Sequence, residues 1–463
     1  MPPEGTHPVT RTALCERSPR RRPLFAALFS ILALTATTKT AVAADGNWPS
    51  YRGPNARGVS EGAHLPTTWN GETGTNLVWK TAIPGLGHSS PVVWNSRIYV
   101  TTAVLESGSA ALRVGLYGDI RPANDEGPVQ WLLLALDLDS GDVLWQREVH
   151  KGIPIIKRHT KSTHANATPA TDGEHLAVML GSEGLFVYDL NGNLLWRKDL
   201  GTLDSGFYQA TTAQWGWASS PLVHDGRVII QADVQGDSFL AAFDIETGDE
   251  IWRTAREEVP TWSTPTLAPR GDGFQIVVNG WKHIGSYDFG SGRELWKMAG
   301  GGDIPVPTPV LSGDLVVITS AHGTERPIYA IRLDAEGDIK DTEYVAWQHE
   351  RAGNYMQTPI VVNGIGYFCL DSGILSAYEM ESGDLLYKQR LGSGKSGFSS
   401  SAVADSDKLF FTSEDGDTYV IATGREYREL AVNELGETFM STPAIAGNTL
   451  LMRGRSHLFA FAD

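Results

Sequence analysis

The feature that most constrains this chain is a short phrase that returns along it: an acidic residue, a turn ending in glycine, then an aromatic. It reads Asp137-Leu-Asp-Ser-Gly141-Asp-Val-Leu-Trp145, Asp189-Leu-Asn-Gly192-Asn-Leu-Leu-Trp196, Asp244-Ile-Glu-Thr-Gly248-Asp-Glu-Ile-Trp252 and Asp288-Phe-Gly-Ser-Gly292-Arg-Glu-Leu-Trp296. A decayed copy keeps Glu379, Gly383 and Tyr387, and another stretches its turn from Leu333 to Trp347. The glycine suits the positive-φ position of a tight hairpin, and the flanks alternate apolar and polar as half-buried strands do.

A second phrase alternates with the first. It appears as Ser89-Ser90-Pro91, Thr168-Pro169, Ser219-Ser220-Pro221, Ser263-Thr264-Pro265, Thr308-Pro309, Thr358-Pro359 and Ser441-Thr442-Pro443, with Ser400-Ser401-Ala402 filling the gap. Each opens an apolar strand such as Val92-Val93-Trp94. From Pro91 the intervals are 78, 52, 44, 44, 50, 43 and 41 residues; beyond the first, they fit the 40–50-residue period of a four-stranded propeller blade. Eight copies give an all-β, eight-bladed β-propeller with strands A to D counted outward from the axis. The last copy has three strands, and Asn76–Lys80 precedes the first copy as an orphan fourth. If Trp79 completes the last blade, the ring closes and leaves no edge open at the seam. The domain reading is a leader over 1–43, an N-terminal lead-in segment over 44–75 and the propeller over 76–463. Fifty Gly and 24 Pro beside 14 Trp agree with many short strands and tight turns.

The phrases Leu134-Ala135-Leu136-Asp137, Phe186-Val187-Tyr188-Asp189 and Leu240-Ala241-Ala242-Phe243-Asp244 resemble the pyrroloquinoline-quinone (PQQ) repeat, Leu-Tyr-Ala-Leu-Asp-x-x-Thr-Gly-x-x-x-Trp. The opening Trp48-Pro49-Ser50-Tyr51-Arg52-Gly53-Pro54-Asn55, then Gly58-Val59-Ser60, is similar to the start of exported PQQ-like propellers of planctomycete-type bacteria. The resemblance runs from Trp48 to Phe461. It implies the fold and leaves two activities, because quinone enzymes and non-catalytic scaffolds share the repeat.

Arg20-Arg21-Arg22 precedes an apolar run, Leu24–Ala36, too short for the roughly 20 residues a bilayer requires. With Ala41-Val42-Ala43 as an A-x-A site, this is a secretory leader cut near Ala43, and the product is periplasmic or extracellular rather than membrane-spanning. No cysteine follows the run to carry a lipid anchor. Cleavage removes Cys15 and leaves Cys369 alone, so no intramolecular disulfide is possible. The net charge is −16 for the whole chain, which gives no basic surface for nucleic acid.

Strand direction places B–C and D–A connections on one face. The long segments Ala103–Gln130, Lys151–Ala167 and Gly201–Trp217 all fall there, and long loops on a rigid scaffold usually carry recognition. The candidate ligand-binding residues on this face are His159, Lys161, His164, Tyr208, Trp215, Trp281, His283, His322 and Arg326, with Arg113, Tyr117, Gln214, Trp262, Lys282, Tyr355 and Lys395 near them. Aromatic and cationic groups on a funnel suit a sugar-like or anionic ligand. As loop residues, His159, Lys161 and His164 are expected to be exposed and to cost within about 0.5 kcal/mol when replaced. His159 and His164 lack a third ligand at metal spacing, so no metal is expected. Asp137–Asp142 reads as the repeat's turn rather than a calcium loop, and Trp145, Trp196, Trp252 and Trp296 read as packing between blades.

The function expected is a non-catalytic scaffold, a reading that rests on the absence of catalytic motifs: it binds an envelope protein or glycan, needs no cofactor and acts as a monomer. The resemblance also implies an alternative, a PQQ-dependent alcohol or sugar dehydrogenase holding quinone and calcium through a Glu, an Asn and an Asp. No residue here matches those motifs, and the vicinal disulfide of most of the alcohol enzymes has no counterpart.

Overall fold

The computed structural model describes residues 46–463 other than 109, 117 and 119, so the leader, its cleavage site and Tyr117 lie outside the described residues. The chain forms eight antiparallel sheets, one per blade. Blade 1 is Val92–Trp94, Arg97–Leu105, Val129–Asp137 and Val143–Gly152, and the same A-B-C-D order repeats around the ring. In blade 8 the last three strands, Ala444–Ala446, Thr449–Arg453 and His457–Phe461, pair with Leu77–Ala82, so the orphan strand closes the ring as expected.

Blades stack face to face, and this changes the hydrophobic pattern from the alternation expected. The B and C strands are apolar on both sides: His175–Met179 is buried at every position. Alternation survives in the outer D strands, such as Val143–Gly152, where one side meets solvent. The stretched turn of blade 5 does something the repeat did not announce. Its Gly337–Asp338 pairs in parallel with Trp296 and Lys297, adding a fifth strand to the edge of blade 4.

The two phrases are the joints between blades. A strand-D tryptophan donates its indole N–H to the turn of the next blade: Trp79 to Leu138 O at 2.9 Å, Trp252 to Phe289 O at 3.2 Å and Trp347 to Met380 O at 2.8 Å. Gly141, at φ 73°, is required twice, since a Cβ there would meet the ring of Trp79 as well as strain the turn. Trp145 and Trp296 are exceptions: their indole N–H groups have no acceptor among the described residues, although the Trp145 ring still packs on the Gly192 turn of blade 2. The Ser/Thr phrases form an inner belt. Backbone N–H groups of Ser90, Thr168 and Ser220 donate to the hydroxyls of Thr168, Ser220 and Thr264, each at 3.0 Å. Thr308, Thr358 and Ser401 continue the belt to Thr358, Ser401 and Thr442.

The lead-in segment fills the axis. Trp48 exchanges two backbone hydrogen bonds with Val93 of blade 1, both 2.8 Å, and Pro49 O accepts from Thr171 N of blade 2. Buried Arg52 donates to Ala402 O of blade 7 at 3.1 Å and Pro359 O of blade 6 at 2.9 Å, while Ala404 N of blade 7 donates to Gly58 O. These contacts cap the inward-facing polar groups of the innermost strands, which would otherwise be bare edges. Burial holds the Arg52 pKa down to about 10, with Tyr51 acting weakly in the other direction.

Candidate functional site: a loop face with an aromatic network

The long loops of blades 1 and 2 are pinned by buried charge. Arg158 grips Asp125 in two bonds, Nε to Oδ2 at 2.6 Å and Nη2 to Oδ1 at 3.0 Å, and also donates to Ser162 O and Ala111 O. One guanidinium thereby fastens the blade 1 B–C loop to the loop entering blade 2. Burial alone would raise the Asp125 pKa; bonds from His164 and Arg158 outweigh it and bring it to about 2. A second clasp reaches blade 7. Glu414, 1% exposed, accepts from Lys161 Nζ, Ser399 Oγ and Gly115 N, each at 2.5 Å.

This corrects the expectation of exposure. Lys161 spends its charge on a buried carboxylate, and the His164 ring is nearly buried against Asp125, with Nε2 to Oδ2 at 3.4 Å. Neither is a free rim group, and removing Lys161 would strand the Glu414 charge. Behind them, Glu183 lines a small cavity with His164, Asn166 and Trp217, and accepts from Ile155 N at 3.0 Å. Burial raises its pKa to about 7 against the pull of that bond.

Toward blades 3 to 6 the face becomes aromatic. Phe207 stacks on Trp215 with centroids 5.3 Å apart and planes 7° apart. Trp215 also meets His159 edge-on at 5.4 Å and Trp262 at 5.5 Å, and its indole N–H donates to Ile120 O at 3.1 Å. Tyr208 lies 4.7 Å from Trp281, and Phe207 meets His322 at 5.8 Å, which in turn lies 5.6 Å from Tyr355. So His159, Tyr208, Trp215, Trp281 and His322 belong to one ring network. Its hub, Phe207, was not singled out from sequence, although it adjoins Tyr208 within a long loop.

Asp303 is the other residue missed. It accepts from His322 Nδ1 at 2.6 Å and from Gln209 Nε2 at 3.3 Å, and Gln209 also donates to Tyr208 OH at 2.9 Å. Gly300-Gly301-Gly302 precedes it, and a Cβ on the outer two would collide with the backbone of Gly280, Trp281 and Ala321. Only glycine lets this strand-to-strand connection pass between the backbones of Trp281 and Ala321, and that run was the available signal. His322 itself sits at φ 89°, which is costly for a residue with a Cβ.

Two candidates stand apart. The backbone N–H of His283 donates to buried Glu258 at 2.9 Å, and the residue borders a cavity of about 200 Å³ with Arg256, Tyr287 and Lys297. Arg326 is exposed on the blade 5 rim, bridged to Arg351 through the backbone. Of their neighbours, Arg113 is tied by its backbone to Thr160, Gln214 accepts from Lys157 N, Lys282 faces Glu257 at 3.6 Å, and Lys395 is exposed.

Among the described residues no three His, Cys, Asp or Glu side chains converge as a metal site. The buried carboxylate of Glu414 is already satisfied by Lys161, Ser399 and Gly115, and Asp137 spends Oδ1 on the N–H groups of Asp139 and Ser140, as a turn does. Among the described residues no helix is long and apolar enough to cross a membrane.

Eight stacked blades jointed by Asp…Gly…Trp turns define a PQQ-like β-propeller. A family model described as "Outer membrane protein assembly factor BamB" matches residues 129–368, and the chain belongs to that family. A curated relative of that name from Yersinia pestis is 24% identical over 285 residues, covering 60% of this chain; the chain spans 58% of that relative's length. BamB from Moraxella catarrhalis is similar in fold with a TM-score of 0.57 at 11% identity, over 83% of this chain and 99% of that one. A europium-containing methanol dehydrogenase is similar in fold with a TM-score of 0.59 at 13% identity, over 90% of this chain and 89% of the other.

Proposed function

We infer that the protein is a non-catalytic scaffold of the cell envelope, exported as a periplasmic or extracellular monomer, that binds an envelope protein or glycan through its loop face. The observation that carries this is the ring network from His159 to Tyr355, built from separate loops and anchored on rigid blades. Large rings contribute contact area at small entropic cost, which is why they concentrate at binding surfaces. The charge clasps hold those loops before a partner arrives, so less ordering is left to do on binding. Relatives whose name is outer membrane protein assembly factor support a protein partner.

The alternative, a PQQ-dependent alcohol or sugar dehydrogenase, shares the fold and demands a different site. Titrating the purified protein with PQQ and calcium while recording ultraviolet–visible spectra separates the two, together with dye-linked oxidation of ethanol and glucose. The expected result is no saturable quinone spectrum and background turnover. A saturable spectrum with calcium-dependent turnover overturns the scaffold reading.

A further inference from the structure

We propose that Tyr208 and Trp281, with Gln209, Asp303 and His322 beside them, form a subsite for a neutral pyranose ring of an envelope glycan. The proposal rests on the loop face being the binding face and names one ligand class for part of it.

Three observations converge. The first is the pair of half-buried rings, Tyr208 and Trp281, which lie against one another at 4.7 Å with planes inclined by 32°, so that a sugar would meet an outward ring face of the pair. The axial C–H groups of a pyranose lie flat on such a surface, because they carry slight positive charge and the ring face is negative. The second is the row of planar polar groups next to it. Gln209 bridges Tyr208 OH and Asp303, and Asp303 also takes His322 Nδ1 at 2.6 Å. These bonds fix the side chains and leave the Gln209 amide oxygen and His322 Nε2 to meet vicinal hydroxyls. His322 is 43% exposed, so that nitrogen is reachable.

The third is that the backbone is strained to bring this about. His322 sits at φ 89°, and three consecutive glycines let Asp303 pass between Trp281 and Ala321. Strain of this kind persists where surrounding structure enforces it, and it concentrates at functional sites. The sign of the local charge selects among sugars. Burial, with Asp371 and Asp303 adding to it, raises the Tyr355 pKa to about 12, so two carboxylates stand near this end of the face. A uronic acid or phosphorylated sugar would be repelled, whereas a neutral ring would not.

The test is isothermal calorimetry of the purified protein, with intrinsic tryptophan fluorescence, against cellotetraose, maltotetraose and chitotetraose, and against tetragalacturonate as the anionic comparison. At least one neutral tetramer should bind saturably and the uronate should not. Trp281→Ala and Tyr208→Ala should each weaken binding about tenfold, and Asp139→Ala on the opposite face should leave it unchanged. If Trp281→Ala lowers the melting temperature markedly, Trp281→Phe and His322→Asn serve in its place, each expected to weaken binding severalfold. No binding of any neutral tetramer, preference for the uronate, or binding indifferent to these variants overturns the proposal. Such a failure leaves the loop face intact as a protein-binding surface, which cross-linking from the two faces reads separately.

Discussion

Trp196 of blade 2 donates its indole N–H to Ile245 O of blade 3 at 2.7 Å, while its ring lies 2.8 Å from where a Cβ on Gly248 would stand. One residue pair thus explains why aspartate, glycine and tryptophan recur together. The aspartate shapes the turn, the glycine clears space, and the tryptophan arrives from the preceding blade.

Gly248 and Gly226 separate the two roles of glycine. Both have positive φ, 75° and 69°, but a Cβ on Gly226 meets nothing within 4 Å. Gly226→Ala should cost about 1–2 kcal/mol from backbone strain alone. Gly248→Ala should cost more, by at least about 1 kcal/mol, because the Trp196 ring must also move. Urea denaturation midpoints of the two variants check this; equal losses would contradict the ring contact.

Asp125→Asn should destabilise the protein by about 3–5 kcal/mol near neutral pH, because it leaves the Arg158 charge buried without its carboxylate. The folded pKa of Asp125, about 2, lies below its ordinary value of 3.8. Its contribution is therefore complete above about pH 4 and is lost as pH falls toward 2. Thermal melts of parent and variant should converge across that interval, and a gap that stays constant would refute the pairing.

Glu183 has the opposite sign. Its folded pKa of about 7 exceeds the ordinary 4.5, so the folded state holds the proton more tightly than the unfolded one. Stability from this group is present below pH 4.5 and drains away as pH rises to 7. Glu183→Gln, which keeps an acceptor for Ile155 N, should match the parent at pH 4 and melt higher at pH 8. A variant that melts lower at pH 8 would show that the charged form is welcome in the cavity.

The lead-in segment and the closing strand act differently. Removing residues through Ser60 leaves Leu77–Ala82 to close blade 8 but strips Val93, Thr171 and Ala404 of their axial partners. Removing residues through Ala82 also opens the seam between blades 8 and 1. The shorter deletion should lower the melting temperature and keep one cooperative transition; the longer should abolish cooperativity and raise light scattering. Equal behaviour of the two would contradict closure by the N-terminal strand.

Blade number, seam and turn glycines were legible because each repeats at a period that only stacked blades satisfy. The axial path of Trp48–Ser60 was not, since a segment that reaches the inner strands of blades 1, 2, 6 and 7 by single contacts has no periodicity of its own. Lys161 and Glu414 are 253 residues apart, and no local pattern joins them. Their pairing, not their residue types, decides that Lys161 is a structural cation. The rings were identifiable singly, whereas Phe207 as their hub depends on how three loops converge.

The central claim is that the loop face is the binding face, and site-specific photo-cross-linking in cells tests it most directly. A photoreactive residue is placed at Thr212 or Arg326 on that face, and at Asp139 or Glu381 on the opposite one, all exposed positions. Discrete adducts with envelope protein or glycan are expected from Thr212 and Arg326, with none from Asp139 and Glu381. Adducts mainly from Asp139 and Glu381, or equally from both faces, would contradict the account.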